Sequence, residues 1–63
     1  MDFKEIKRFL EQKAIEYYNN HKSCFETWQE GNIKKIWLDK DSNLCIEYES
    51  GRYWHYNESG EWW

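Results

Sequence analysis

The stretch Leu44-Cys45-Ile46-Glu47-Tyr48-Glu49-Ser50-Gly51-Arg52-Tyr53-Trp54-His55-Tyr56 decides how this chain folds. Apolar and polar residues alternate on both sides of a glycine, which is the pattern of a β-hairpin. With Ser50-Gly51 as a two-residue turn, Glu49 faces Arg52, Tyr48 faces Tyr53, Glu47 faces Trp54, Ile46 faces His55 and Cys45 faces Tyr56. Working upstream, a loop over 39–43 sets Leu38 against Leu44, Trp37 against Cys45, Ile36 against Ile46 and Lys35 against Glu47. Gly31-Asn32, read as another two-residue turn, sets Trp28 against Lys35, Thr27 against Ile36, Glu26 against Trp37 and Phe25 against Leu38. Strands are therefore predicted near 23–29, 33–38, 43–49, 52–57 and 61–63, the last one short. Opposite charges meet at Glu49–Arg52 and Lys35–Glu47, as cross-strand pairing favours.

Residues 2–18 read as one amphipathic helix. At ~100° per residue, Phe3, Ile6, Leu10, Ala14 and Tyr17 share a stripe, with Glu5, Gln12 and Glu16 opposite. Asp2 suits an N-cap and Glu5 completes a capping box. His21 and Lys22 suit the negative end of the helix dipole, and Asn19-Asn20 suit its termination. The expected architecture is α+β: an N-terminal helix on one face of an antiparallel meander of four to five strands, residues 1–63 forming a single domain.

The assumed turns divide the sheet residues between two faces. Phe25, Thr27, Ile36, Leu38, Leu44, Ile46, Tyr48, Tyr53 and His55 fall on the face that meets the helix. Glu26, Trp28, Ile33, Lys35, Trp37, Cys45, Glu47, Glu49, Arg52, Trp54 and Tyr56 fall on the other, and the final strand adds Trp63. A sheet covered on one side by a helix normally shows water a polar opposite face. Here that face carries Trp28, Trp37, Trp54, Tyr56 and Trp63 among charges. Exposed aromatic clusters mark contact surfaces, and Trp, Tyr and Arg are enriched in binding hot spots. Closure into a small barrel, sheet-to-sheet dimerisation or rings lying flat over charged stems would each account for the same residues structurally.

Composition bounds the function. The chain has 63 residues, 21% aromatic, no proline and a net charge of −3. Such a length leaves ~40% of the unfolded chain's surface uncovered, so large rings are first needed as core filling. Phe3, Tyr17, Phe25, Tyr48, Tyr53 and Trp62 are absorbed in that way. No run approaches the ~18 apolar residues of a membrane span. The charged, helical start does not read as a secretory signal peptide.

Cys24 and Cys45 fall in the first and third strands of the meander. Those strands lie roughly 9–10 Å apart at ~4.8 Å spacing, beyond the ~7 Å a disulfide allows. Free thiols and a reducing, cytoplasmic setting are expected. Cys24, Cys45, His21 and His55 match no zinc-ligand spacing, and the assumed register sends His55 and Cys45 to opposite faces. The same geometry rules out a Cys–His catalytic pair. With no phosphate-binding glycine loop and no clustered acid pair in a pocket, the expectation is no enzyme, no metal and no cofactor.

Aromatic sheets stack single-stranded bases, but such surfaces are basic, and Glu26, Glu47 and Glu49 argue against nucleic acid here. Gly51 to Trp62 resembles one glycine–aromatic hairpin repeat of bacterial cell-wall-binding modules, over about 12 residues and in one copy. That resemblance implies carbohydrate binding, although the family builds its sites from tandem copies and is secreted. In size and charge the chain looks like the small acidic inhibitors and anti-defence proteins of phages and mobile elements. The favoured expectation is an acidic, non-enzymatic protein-binding module. Its partner, a basic or nucleic-acid-handling protein, would meet Trp28, Trp37, Trp54, Tyr56, Trp63, Glu26, Glu47 and Glu49. A cell-wall-binding hairpin module and a homodimerising structural domain are the alternatives.

Overall fold

The computed structural model describes residues 3–63, with side chains from residue 4 onward. The proposed Asp2 cap and the Phe3 ring lie outside the described residues. Helix α1 spans Phe3–Ser23, and strands β1 (Ile33–Leu38), β2 (Leu44–Tyr48) and β3 (Tyr53–Tyr56) follow. They form an antiparallel sheet in the order β1-β2-β3. The class is α+β, with three strands among the described residues rather than four or five.

The helix continues five residues past its expected end at 18. Its last turns have something to bury. His21 is 1% exposed, and Tyr17 and Tyr18 pack on the core formed by Ala14, Leu44, Ile46, Tyr48 and Tyr56. His21 and Lys22 in the final turn complement the helix dipole. A 21-residue helix is about 31 Å long, whereas strands of four to six residues reach only about 13–20 Å. The helix is therefore longer than the strands it packs on. Ile6, Phe9 and Ile15 remain exposed, and an open groove of about 570 Å³ lies between Ile6, Leu10 and Ala14 on α1 and Ile33 and Ile36 on β1.

The first expected strand, 23–29, does not form. Gly31, at φ +82°, does not reverse the chain into a hairpin; it feeds the backbone into β1. Glu49 N–H donates to Asn32 O and Ser50 N–H to Glu30 O, each at 3.0 Å, so residues 30–32 line up beside the end of β2. Trp28 then turns inward. Its Nε1–H donates to Gly31 O at 2.7 Å, and its ring meets Tyr18, His21 and Tyr48.

Between β1 and β2 the register is the expected one from Lys35↔Glu47 to Leu38↔Leu44. A bulge between Ile33 and Lys35 then turns Ile33 from the expected outer face onto the core side. Between β2 and β3 the expected register is one residue out. The observed partners are Leu44↔Tyr56, Cys45↔His55, Ile46↔Trp54 and Glu47↔Tyr53. Glu49-Ser50-Gly51 is a three-residue loop, closed by Gly51 N–H to Tyr48 O at 2.9 Å and Tyr48 N–H to Arg52 O at 3.0 Å. Gly51 has φ +92°, the left-handed position that ends such a loop.

A one-residue slip reverses every side chain of the strand. Trp54 and Tyr56 accordingly face the core, and Tyr53 and His55 face away. The expected fifth strand is a single bridge, Tyr56↔Trp62, continued by paired backbone hydrogen bonds between His55 and Trp63 at 2.9 and 3.1 Å. This second shift offsets the first. Trp62 packs inward and Trp63 lies outward beside His55.

Candidate functional site on the outer face of the sheet

The outer face is narrower than the sequence reading made it. Trp28, Trp54 and Tyr56 belong to the inner side, Tyr56 being 1% exposed. Glu26 is exposed in the segment before β1 and is not on the sheet. Glu49 sits in the β2–β3 loop, where its carboxylate accepts from Asn32 N–H at 2.7 Å. Glu47 does face outward, between Lys34 at 3.8 Å and Lys35 at 3.6 Å. Trp37 and Trp63 remain on this face and stand at its two sides.

Tyr53 and His55, which sequence reasoning assigned to the core, fill the space between them. The rings form a row from Trp37 on β1 through Tyr53 and His55 on β3 to Trp63 beyond it. Trp37 and Tyr53 have centroids 5.7 Å apart, Tyr53 and His55 5.9 Å, and His55 and Trp63 5.4 Å with planes 6° apart. Tyr53 is 57% exposed and Trp63 54%. Lys35 Nζ lies 5.5 Å from the Trp37 ring centroid at one end of the row. Rings at these distances stack by offset or edge contact.

Beneath the row lies a cluster that the expected register had separated. Cys45 and His55 are direct cross-strand partners, with Sγ and Nδ1 3.2 Å apart. Asp39 Oδ2 is 2.9 Å from the same Nδ1. The 39–43 loop fixes that carboxylate: Asp39 Oδ1 accepts from Asp41 N–H at 2.8 Å and Asn43 N–H at 2.9 Å. Burial pushes the Asp39 pKa up, but the donors from Asn43, His55 and Asp41 outweigh it and hold the group at about 2. Burial and the Asp39 charge push the Cys45 thiol upward.

This is not a nucleophilic triad. In a triad the nucleophile and the orienting carboxylate bond to different ring nitrogens. Here both meet Nδ1. Cys45 is 0% exposed, and its raised pKa opposes thiolate formation. Both cysteines are free thiols, Cys24 exposed and Cys45 buried. They are kept apart because Cys24 follows the helix and belongs to no strand.

On the inner side the other histidine is sealed. His21 Nδ1 meets the Tyr56 hydroxyl at 2.7 Å, and Tyr56 meets the Tyr48 hydroxyl at 2.6 Å. Phe25, Trp28, Trp54 and Trp62 surround the imidazole at 4.4–5.4 Å between centroids. Burial lowers the His21 pKa, against a smaller opposing effect of Glu30, and raises that of Tyr48 to about 12. The core histidine expected at position 55 is thus at position 21.

Fold and site together define a small α+β domain with an aromatic outer sheet face. No protein-family model matches the chain, and neither a curated protein nor a solved structure matches it. No helix among the described residues is long and apolar enough to cross a membrane.

Proposed function

We propose that the protein is a small, non-enzymatic protein-binding module that uses the outer sheet face. The observation that carries this reading is the row Trp37–Tyr53–His55–Trp63, whose Tyr53 and Trp63 leave more than half their surface to solvent. A chain this short needs its rings for the core, so leaving two of them exposed in one row, on either side of His55, has a cost that binding offsets.

The partner is a basic protein surface. Asp41, Glu58 and Glu61 lie in the two turns at the end of the sheet where β1 and β3 finish, with Lys40 as the cation among them. Arg and Lys side chains suit both that rim and the faces of Trp63 and Tyr53. The net charge of −3 supports a partner that itself handles nucleic acid, in a cytoplasmic setting, in the manner of a phage or mobile-element inhibitor.

The test is capture by the immobilised full chain. A defined protein should be retained at low salt, released at high salt, and lost on Tyr53→Ala or Trp63→Ala but not on Ile15→Ala. Retention on cell-wall polysaccharide with the same dependence on Tyr53 and Trp63 would replace the reading with the carbohydrate one. A solution mass of two chains that falls to one on Trp63→Ala would replace it with a homodimer.

A further inference from the structure

We infer that Asp39, Cys45 and His55 form a binding site for one divalent transition-metal ion of the zinc type. Their candidate ligand atoms, a carboxylate oxygen, a thiol sulfur and an imidazole nitrogen, all lie within 4.8 Å of one another. Sulfur, imidazole and carboxylate together form a donor set that zinc takes, and three protein ligands leave its fourth position for water.

The hydrogen bonding carries the argument further. Asp39 Oδ2 at 2.9 Å from His55 Nδ1 requires a proton between them, donated by Nδ1. Cys45 Sγ at 3.2 Å is then a second acceptor on that proton. An ion that displaces that proton and the thiol proton to solvent meets a lone pair on the nitrogen, the sulfur and the carboxylate oxygen. At ~2.0–2.3 Å from a tetrahedral ion the donors would stand ~3.3–3.6 Å apart. The 2.9 and 3.2 Å separations open by a few tenths of an ångström, and the carboxylate–thiol pair, within 4.8 Å, settles to the same range.

The surroundings hold the ligands in place, as outer-shell contacts do in metal sites. Two backbone N–H groups fix Asp39 Oδ1 and leave Oδ2 for the ion. Trp63 stacks on the His55 ring, and both its backbone groups pair with His55. Asn43 Nδ2 donates to Oδ2 at 3.3 Å, which leaves that oxygen a lone pair for the ion, and the thiol's 3.9 Å contact to Asn43 O is lost with the thiol proton. The site shares His55 with the aromatic row but needs none of the exposed faces of Tyr53 or Trp63, so metal binding is read separately from partner capture.

The experiment is titration of the reduced full chain with Co²⁺, followed by absorption and tryptophan fluorescence. One equivalent should bind with a thiolate-to-cobalt charge-transfer band, quench Trp63 and be displaced by Zn²⁺. Cys45→Ser should abolish the band, and His55→Gln should weaken binding at least tenfold. Cys24→Ser should change neither. Because Asp39→Asn could unsettle its loop, the two former variants decide. Binding without the band, a band that survives Cys45→Ser, or no saturation below millimolar Co²⁺ would each overturn the assignment.

Discussion

His21 and His55 lie on opposite sides of the same sheet, each hydrogen-bonded through Nδ1, and the chain treats them differently. His21 meets a neutral phenol, Tyr56, which in turn meets Tyr48, and aromatic rings close over all three. No buried side-chain polar atom among the described residues lacks a hydrogen-bond partner. His55 meets a carboxylate and a thiol, under a ring that is 54% exposed. The first arrangement is complete in itself and stabilises the fold. The second gathers charge and acceptors that a cation can still use. The same residue types thus serve as core on one side and as a candidate site on the other, and what separates them is the closure of the network.

Deleting the inner packing should have the largest effect. Ile46 is 0% exposed at the centre of the sheet, against Ala14. Ile46→Ala should cost about 2–5 kcal/mol in urea unfolding. For a domain of this size that is a large share of a total stability of about 5 kcal/mol. Tyr56→Phe comes next. It leaves volume unchanged but strands His21 Nδ1 and removes the partner of the Tyr48 hydroxyl, at about 1–3 kcal/mol. A loss below about 0.5 kcal/mol would mean that the inner network is not closed, and the comparison would fail.

The difference between the two sides was only partly legible in the sequence. The presence of the helix was, because its stripe repeats at the helical period, but the last turns that bury Tyr18 and His21, and the exposure of Ile6, were not. The β1–β2 register was, because Asp39 ties down its own loop through Asp41 and Asn43 and leaves Leu38 opposite Leu44. The β2–β3 register was not, because Glu49-Ser50-Gly51-Arg52 suits two loops. Pairing Glu49 with Arg52 favours the two-residue turn. In the fold Arg52 instead reaches Glu30 at 3.7 Å and lies 5.1 Å from the Trp54 ring centroid, while Gly51 takes the left-handed third position. That one residue carried Trp54 and Tyr56 into the core, brought Tyr53 and His55 out, and joined Cys45 to His55. Trp28 misled for a different reason: Phe25-Glu26-Thr27-Trp28 alternates like a strand, but the last turns of the helix offer its ring burial. The signal that was available is glycine third in the loop, after two polar residues.

Acid should separate the two sides by window. The folded pKa of His21 lies below the ordinary 6.5, so the unfolded chain binds more protons between the two values. Stability should therefore fall as the pH drops from 6.5 through the folded value, and the Tyr56→Phe background should alter that limb. Asp39, held at about 2 against an ordinary 3.8, contributes above 3.8 and loses its contribution as the pH falls through about 2. Asp39→Asn should flatten that lower limb and leave the one below 6.5 in place. Urea midpoints measured from pH 8 to pH 2 read both.

The smallest effect belongs to the outer row and is the most informative about function. Tyr53 is 57% exposed and touches Trp37 and His55 at centroid distances of 5.7 and 5.9 Å. Exposed cross-strand ring pairs are worth about 0.2–1 kcal/mol, so Tyr53→Ala should move the urea midpoint far less than Tyr56→Ala. The two tyrosines stand three residues apart in one strand of four residues, so composition and strand context are nearly shared. If Tyr53→Ala costs as much as Tyr56→Ala, the row is a second core and the outer face is structural. If it costs little and still abolishes capture of a partner, the exposed rings are held for binding rather than for the fold.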